Sequence, residues 1–147
     1  MESQVRVRRL LSADVAIARQ TFEAMLEAFE EEPSALSDTY IEGLLRRPDF
    51  WVISASVNDE VVGGLTAHTL PMTRSESEEV FLYDIAVLER FRRVGAGRMM
   101  IDCLRASALD VGIGIVFVPV EEVDDEAVEF YRSLQGTEST VRFFVWE

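Results

Sequence analysis

The chain reads as an α/β domain, and three observations carry that reading. Short apolar or alternating runs recur along its 147 residues, separated by longer segments with helical periodicity. The runs 50–57 and 61–70 are divided by little more than "NDE", a hairpin turn that makes them antiparallel neighbours. The two most continuously apolar runs, 80–87 and 113–120, flank a helical segment, as strands buried inside a sheet do.

Each element follows from local chemistry. "VRVRRL" (5–10) alternates and is a first strand. Ser12 is placed to cap a helix through "ADVAIARQTFEAMLEAFEEE", which must stop before Pro33. Val15, Ala18, Phe22, Met25, Leu26 and Phe29 recur there at helical spacing. Ser37 or Asp38 caps a second, short helix that ends near Pro48. "FWVISASV" (50–57) and "VVGGLTAHTL" (61–70) form the hairpin, and the polar "PMTRSESEE" (71–79) reads as a loop. "VFLYDIAV" (80–87) is a central strand, and "AGRMMIDCLRASALDVG" is a helix ending at Gly112. "IGIVFVPV" (113–120) is another buried strand. "DDEAVEFYRSLQG" (124–136) is a helix with a capping acid and a terminal glycine, and "VRFFVWE" (141–147) closes the chain as a strand. The order is β-α-α-β-β-β-α-β-α-β, one domain over residues 1–147 with no repeat, low-complexity tract or linker.

Composition narrows the function. The apolar fraction of 48% supports a packed core, and no apolar run approaches the roughly 18 residues that span a membrane. The N-terminal "MESQVRVRRLL" lacks the apolar core of a signal peptide, so the cytoplasm is the expected compartment. One Cys and one His exclude an internal disulfide and disfavour a transition-metal site. A net charge of −13 argues against nucleic acid as a partner and suits a cationic one, although acidity also serves solubility alone.

All fourteen basic residues are arginines, and four of them, Arg90, Arg92, Arg93 and Arg98, surround Gly95 and Gly97. This stretch follows a central strand and opens a helix. A helix start leaves several backbone N–H groups without intrahelical partners and carries partial positive charge. Glycines without a Cβ let a ligand approach the main chain. The combination is an anion pocket suited to phosphate; the plainer alternative is a tight turn with solvated arginines. The pattern lacks the Gly-Lys-Ser/Thr of a nucleotide P-loop, and Met100 stands where a dinucleotide fingerprint needs its third glycine.

What the stretch does match is Arg-x-x-Gly-x-Gly, here Arg92-Arg93-Val94-Gly95-Ala96-Gly97. It resembles the pyrophosphate loop of the GNAT acetyltransferase superfamily. The element order agrees, and "DDEAVEFY" resembles the family's Asn-x-x-Ala-x-x-x-Tyr helix with Asp124 in the Asn position. "LYDIAVLERFRRVGAGRMMIDCLRASALDVG" together with "VDDEAVEFYRSL" is similar to the aminoglycoside 3-N-acetyltransferases of that superfamily, and "TYIEGLLRRPDFWVISA" extends the likeness upstream. Two departures stand out. Gln135 occupies a place where a Leu-Gly turn is common, and "RFFVWE" lacks an acidic residue after its first Phe.

The resemblance implies a GNAT fold: a mixed, mostly antiparallel sheet flanked by helices, with splayed parallel strands that bind acetyl-CoA. It implies acetyl transfer by direct attack on the 3-amino group of an aminoglycoside, hence antibiotic resistance. Another cationic amine, such as a polyamine or a protein N-terminus, is the alternative acceptor. A pure CoA-binding module would need none of the candidate acids below. Pyrophosphate is expected on the N–H groups of Val94, Gly95, Ala96, Gly97 and Arg98, with Arg92 and Arg93 at the rim. Pantetheine is expected along the backbone of Ile85, Ala86 and Val87, with Asp124, Ala127 and Tyr131 contributed by the later helix.

The chemistry needs a neutral amine, an oxyanion donor and an acid for the thiolate. Asp84 interrupts an apolar strand, and alternation points it opposite to Tyr83 and Ile85; it is the leading candidate base, with Glu121 second. The plainer reading of Asp84 is a strand-end acid bonded to backbone or arginine, and that of Glu121 is surface charge. The Val87 N–H is the expected oxyanion donor. Tyr131 is the expected general acid, against the alternative of a packed core tyrosine. Acceptor ammonium groups call for carboxylates, which Glu30, Glu31, Glu32 and Asp38 supply near the end of the first helix and Glu121, Glu122, Asp124 and Asp125 at another site, with Tyr83 alongside Asp84. A solvated helix end explains Glu30 to Glu32 equally well. Cys103, Met99 and Met100 read as packing residues, His68 as a packed or surface residue with the acceptor cleft as the alternative, and the final aromatic strand as a possible homodimer edge.

Overall fold

The computed structural model describes residues 4–33 and 35–147. Among these, the elements are β1 (Val5–Arg9), α1 (Val15–Ala28), α2 (Asp38–Arg46), β2 (Phe50–Val57), β3 (Glu60–Pro71), β4 (Glu78–Val87), α3 (Ala96–Asp110), β5 (Val116–Phe117) and α4 (Asp125–Ser133). They build one sheet in the order β1-β2-β3-β4-β5. The first three pairings are antiparallel and β4–β5 is parallel, so the sheet is mixed and mostly antiparallel. Asn58 and Asp59 take positive φ (49° and 69°), which makes the tight β2–β3 turn with Val57 opposite Glu60.

Helices cover both faces of the sheet. On one face Met100, Leu104 and Ala108 of α3 pack on Ile53, Leu65, Val80 and Leu82. On the other, α1 and α2 bring Ala18 and Ile41 onto Leu10 and Val52. There the Thr21 hydroxyl meets Ser54 Oγ at 2.8 Å and the Ile17 carbonyl at 2.7 Å, so the buried polar pair is satisfied. No helix among the described residues is long and apolar enough to cross a membrane.

Several boundaries differ from the sequence reading, each for a local reason. Asp14, not Ser12, precedes α1, and its carboxylate takes the Leu11 N–H at 2.7 Å and the Arg8 guanidinium at 3.0 Å. The helix stops at Ala28 rather than running to Glu32. Glu30 takes a left-handed φ of 58°, its N–H bonds to the Glu27 carbonyl, and the Glu31 N–H bonds to the Leu26 carbonyl. These are the two bonds of a Schellman turn. The same turn ends α3 with Gly112 (φ 81°) and α4 with Gln135 (φ 65°) in the left-handed position. Gly136, read as the terminal glycine of α4, sits one residue further on. The expected 71–79 loop shrinks, since Pro71 belongs to β3 and Glu78 and Glu79 to β4.

The largest differences are at the C-terminal edge. The expected strand 113–120 is paired only at Val116 and Phe117, because the ladder to β4 ends there and Pro119 has no N–H to extend it. The expected strand 141–147 is not formed: no strand of the described chain pairs with it, and its aromatic side chains are exposed.

Candidate active site

A sheet irregularity opens the site. Thr66 of β3 is opposite Asp84 of β4 while the next residue, Ala67, is opposite Leu82, so Tyr83 is an extra residue and β4 bulges there. The bulge breaks the alternation that set Asp84 opposite to Tyr83. Tyr83 packs its ring on His68 and Phe81, on the face away from Ala67, and Thr66, the partner of Asp84, belongs to that same face.

The bulge also decides which main-chain groups are available. The Leu88 N–H bonds to the Val62 carbonyl at 2.8 Å. In an antiparallel ladder alternate residues bond to a given neighbour, so the N–H and C=O groups of Ile85 and Val87 point away from β3. On that side β4 pairs with β5 only at Val80 and Phe81. The two parallel strands therefore diverge and leave a slot beside Ile85, Ala86 and Val87, with an unfilled hydrogen-bonding edge. Arg92 Nε donates to the Val87 carbonyl at 3.0 Å, which fixes the end of the slot, and the Val87 N–H faces the same side, away from β3.

The slot leads to the glycine loop. Arg93 (φ 67°) and Gly95 (φ 90°) both take left-handed backbone, and the first intrahelical bond of α3 is Met99 N–H to the Gly95 carbonyl. The consecutive N–H groups of residues 93 to 98 donate no bond among the described residues. They form a concave donor cluster at the positive end of a helix, as a pyrophosphate requires. A Cβ on Gly95 would meet nothing within 4 Å, so that position faces open space. Gly97 also has a packing role. A Cβ there would lie 2.9 Å from Phe130 Cζ, so Gly97 lets α4 pack against the start of α3.

The arginines are more tied down than their clustering implied. Arg90 reaches Glu60 at 3.4 Å and Glu27 at 3.7 Å, Arg92 also reaches Glu126 at 3.7 Å, and Arg98 donates to the Ser133 carbonyl at 3.4 Å. Arg93 has no such partner among the described residues.

Around the bulge the chain gathers three of the expected polar residues. Asp84 is half-buried, and its carboxyl pKa is raised by burial and by the nearby charge of Glu31. The Schellman turn at Glu30 is what carries Glu31 there. Tyr131 comes from α4 on the far side of the slot. Burial, then the charges of Asp124 and Asp84, raise the pKa of its hydroxyl, which therefore stays protonated well past neutral pH. Asp124 is the N-cap of α4, accepting the Ala127 N–H at 3.1 Å. Glu30 lines an open cleft of about 650 Å³ together with Glu27, Ala28, Leu88, Glu89, Arg90 and Arg92. Glu121, Glu122 and Asp125 are exposed in the β5–α4 connection and the first turn of α4. The Asp124 N–H bonds to the Glu121 carbonyl at 3.0 Å. Cys103 lies within α3 between Arg9 and Ser107, and burial pushes its thiol pKa up.

The sequence reading passed over an aromatic row across four strands. Phe50, His68, Tyr83, Phe81 and Phe117 follow one another with ring centroids 5.1 to 5.6 Å apart. Period-2 alternation gives Phe50, His68 and Phe81 a shared face once the hairpin register is known. The position of Tyr83 needed the bulge.

A mixed sheet with one splayed parallel pair, a bulged central strand and a donor-rich helix start at the mouth of the slot defines a protein that binds a phosphate-bearing, amide-rich cofactor. The chain belongs to the acetyltransferase (GNAT) family, whose sequence profile matches residues 16–136. It is a GNAT acetyltransferase, and its cofactor is acetyl-CoA. No curated protein sequence matches the chain significantly. Among solved structures, an aminoglycoside acetyltransferase from an uncultured soil metagenomic sample, in complex with sisomicin, is similar over 97% of this chain and 96% of its own, with 29% identity and a TM-score of 0.89. A second aminoglycoside acetyltransferase from such a sample has 25% identity and a TM-score of 0.90, over 98% of this chain and 99% of its own. The aminoglycoside N-acetyltransferase AAC(6')-Iy in complex with CoA has 18% identity and a TM-score of 0.77, over 100% of this chain and 96% of its own, and supports the fold alone.

Proposed function

We propose that this GNAT enzyme acetylates an aminoglycoside, at its 3-amino group, by direct attack of the amine on acetyl-CoA. The observation that carries this reading is the pairing of Asp84 with Glu31 beside the inner end of the slot. A half-buried carboxylate whose ionisation is opposed by a second carboxylate suits an acceptor bearing several ammonium groups. The likeness to a protein crystallised with sisomicin supports it. The expected cytoplasmic location is part of the same reading.

Acetyl-CoA supplies an activated acetyl thioester. The N–H groups of Val94 to Arg98 hold its pyrophosphate, with Arg93 at the rim, and the outward groups of Ile85 and Val87 pair with its amides. Asp84, directly or through a water, takes the proton from the acceptor ammonium and so frees its lone pair. Its raised pKa, from burial and from the charge of Glu31, makes it a stronger base than an ordinary aspartate. The Val87 N–H donates to the acetyl oxygen where negative charge builds. Tyr131 gives its proton to the departing sulfur. Glu30, Glu31 and Tyr83 form one wall for the acceptor, and Glu121, Glu122 and Asp125 attract its outer ammonium groups.

The test is thiol release from acetyl-CoA across sisomicin, gentamicin-type drugs, a polyamine and a basic peptide, with the acetylated nitrogen located by NMR. Turnover of the aminoglycosides with the acetyl group on the 3-nitrogen supports the reading. Turnover of only the polyamine or the peptide overturns the acceptor. Acetylation at another nitrogen overturns the 3-position alone.

A further inference from the structure

Gly63 and Gly64 lie in the buried stretch of β3, the strand that pairs with β4 beside the site. Gly64 is opposite Ala86, and two residues on, Thr66 is opposite Asp84. Gly64 and Thr66 therefore share one face of the sheet, with the candidate base one strand away. That face carries α1. A Cβ on Gly64 would overlap Thr21 Cγ2, and it would lie 3.1 Å from the Ile53 carbonyl oxygen and 3.2 Å from Met25 Sδ. Ordinary contacts between carbon atoms need about 3.5–4.0 Å. The helix thus rests on the β3 main chain where a side chain would otherwise stand, through two residues one turn apart.

Thr21 cannot turn its methyl aside. It is fully buried, its hydroxyl donates to the Ile17 carbonyl at 2.7 Å, and it meets Ser54 Oγ at 2.8 Å. The χ1 of a β-branched residue in a helix is stiff, and a rotation that cleared Cγ2 would break both buried bonds. An added atom at position 64 therefore moves the helix rather than the side chain.

α1 carries that movement to the site. The turn after it ties Glu30 and Glu31 to its last residues through bonds to the Glu27 and Leu26 carbonyls, both 3.0 Å. Glu27 and Glu30 line one cleft with Leu88 and Arg90, which follow β4. Arg90 reaches Glu27 there at 3.7 Å between exposed side chains, an ion pair too weak to resist a push from beneath the helix. The titratable groups that act on Asp84 come from two elements, Glu31 after α1 and Tyr131 on α4.

We propose that Gly64 is a positioning residue for acetyl transfer: by carrying no side chain it seats α1 directly on β3, and so sets how far the carboxylates at the end of that helix stand from Asp84. Gly64 touches neither acceptor nor cofactor and acts through α1. A displacement of about 1 Å at a reacting centre can cost as much as 10²-fold in rate. Acetyl-CoA is held from β4, the glycine loop and α4, so its binding does not depend on this seat. The inference rests on the proposed roles of Asp84 as base and of Glu30 and Glu31 at the acceptor.

The experiment follows acetylation of sisomicin, or of the amine that the wild type turns over best, by thiol release across pH. Calorimetry gives acetyl-CoA affinity and circular dichroism gives folding. The proteins are the wild type, Gly64→Ala, Gly64→Ala with Thr21→Ser, and Glu31→Gln. Thr21→Ser deletes the obstructing methyl and keeps the hydroxyl with its two bonds. Gly64→Ala is expected to lower kcat/KM for the amine by about 10–10²-fold with acetyl-CoA affinity unchanged. The acidic limb of its kcat/KM profile is expected at lower pH, because Asp84 loses burial and the charge of Glu31 together. The double variant is expected to regain part of both losses, since Met25 and the Ile53 carbonyl still crowd the Cβ. A protein that was only destabilised would melt earlier without moving the limb.

Wild-type kcat/KM and limb in Gly64→Ala overturn the proposal, as does a loss that Thr21→Ser leaves unrelieved. If Gly64→Ala alone does not fold, the double variant carries the test, and a limb at the wild-type pH overturns the proposal. Glu31→Gln keeps the two readings apart. A limb moved by Glu31→Gln and not by Gly64→Ala removes the seat alone. A limb unmoved by Glu31→Gln removes the assigned partnership of Glu31 with Asp84, and the seat with it.

Discussion

Glu31 and Asp84 come from elements more than fifty residues apart, and the charge of the first raises the pKa of the second. The relationship exists because a left-handed residue ends α1 and a bulge interrupts β4. It leads to two expectations for Asp84→Asn. Turnover of an aminoglycoside falls by about 10²-fold or more, while acetyl-CoA affinity, measured by calorimetry, stays close to that of the wild type. Part of the loss returns at higher pH, where more of the amine is already neutral. A rise in KM with no recovery at high pH assigns Asp84 to cation binding alone.

The same substitution has a stability signature. A carboxyl whose folded-state pKa is raised disfavours the folded protein when it is ionised. The cost enters as pH rises past the ordinary aspartate value of 3.8 and is complete above the raised folded value. Asp84→Asn therefore raises the melting temperature at pH 7 relative to wild type, and the advantage disappears in acid. Equal melting temperatures at pH 7 would show that burial and Glu31 leave the carboxylate adequately solvated.

Tyr131→Phe removes a hydroxyl and little packing. The maximal rate drops by roughly 10²–10⁴-fold with acetyl-CoA affinity nearly unchanged. Because the hydroxyl pKa is raised, the wild-type rate should not decline on the alkaline side until above the ordinary tyrosine value of 10.0. An unaltered rate, under conditions where chemistry limits turnover, returns Tyr131 to a packing role.

The two loop glycines separate ligand binding from packing. Gly95→Asp sets a carboxylate among N–H donors meant for an anion and strains a φ of 90°, so CoA binding is lost in calorimetry. Gly97→Ala instead presses on Phe130 and lowers stability by about 1–3 kcal/mol. Phe130→Leu in the Gly97→Ala background relieves part of that loss. No rescue by the double variant would mean that the Ala side chain is resisted by something other than the ring.

Gln135 and Glu30 occupy left-handed positions that glycine fills without strain. Gln135→Gly should raise stability by about 0.5–1 kcal/mol in urea unfolding. Glu30→Gly should do the same to a similar extent, with its effect on turnover reporting whether Glu30 touches the acceptor.

Much of this protein was determined by local sequence. Periodicity set the elements from Val5 to Ser133, "NDE" set the β2–β3 hairpin, and the Arg92–Gly97 motif marked the donor-rich start of α3. These are local properties, since backbone conformation and capping depend on residues within a few positions of one another. Tertiary structure decided what depended on register and on distant partners. Only the pairing of β3 with β4 reveals that Tyr83 is the bulged residue, which turns Ile85 and Val87 toward the slot and brings Asp84 into the field of Glu31. Only the approach of α4 to α3 shows that Gly97 makes room for Phe130. "VRFFVWE" has every local feature of a strand, yet a strand is completed by another strand's hydrogen bonds, and the described chain leaves none for it.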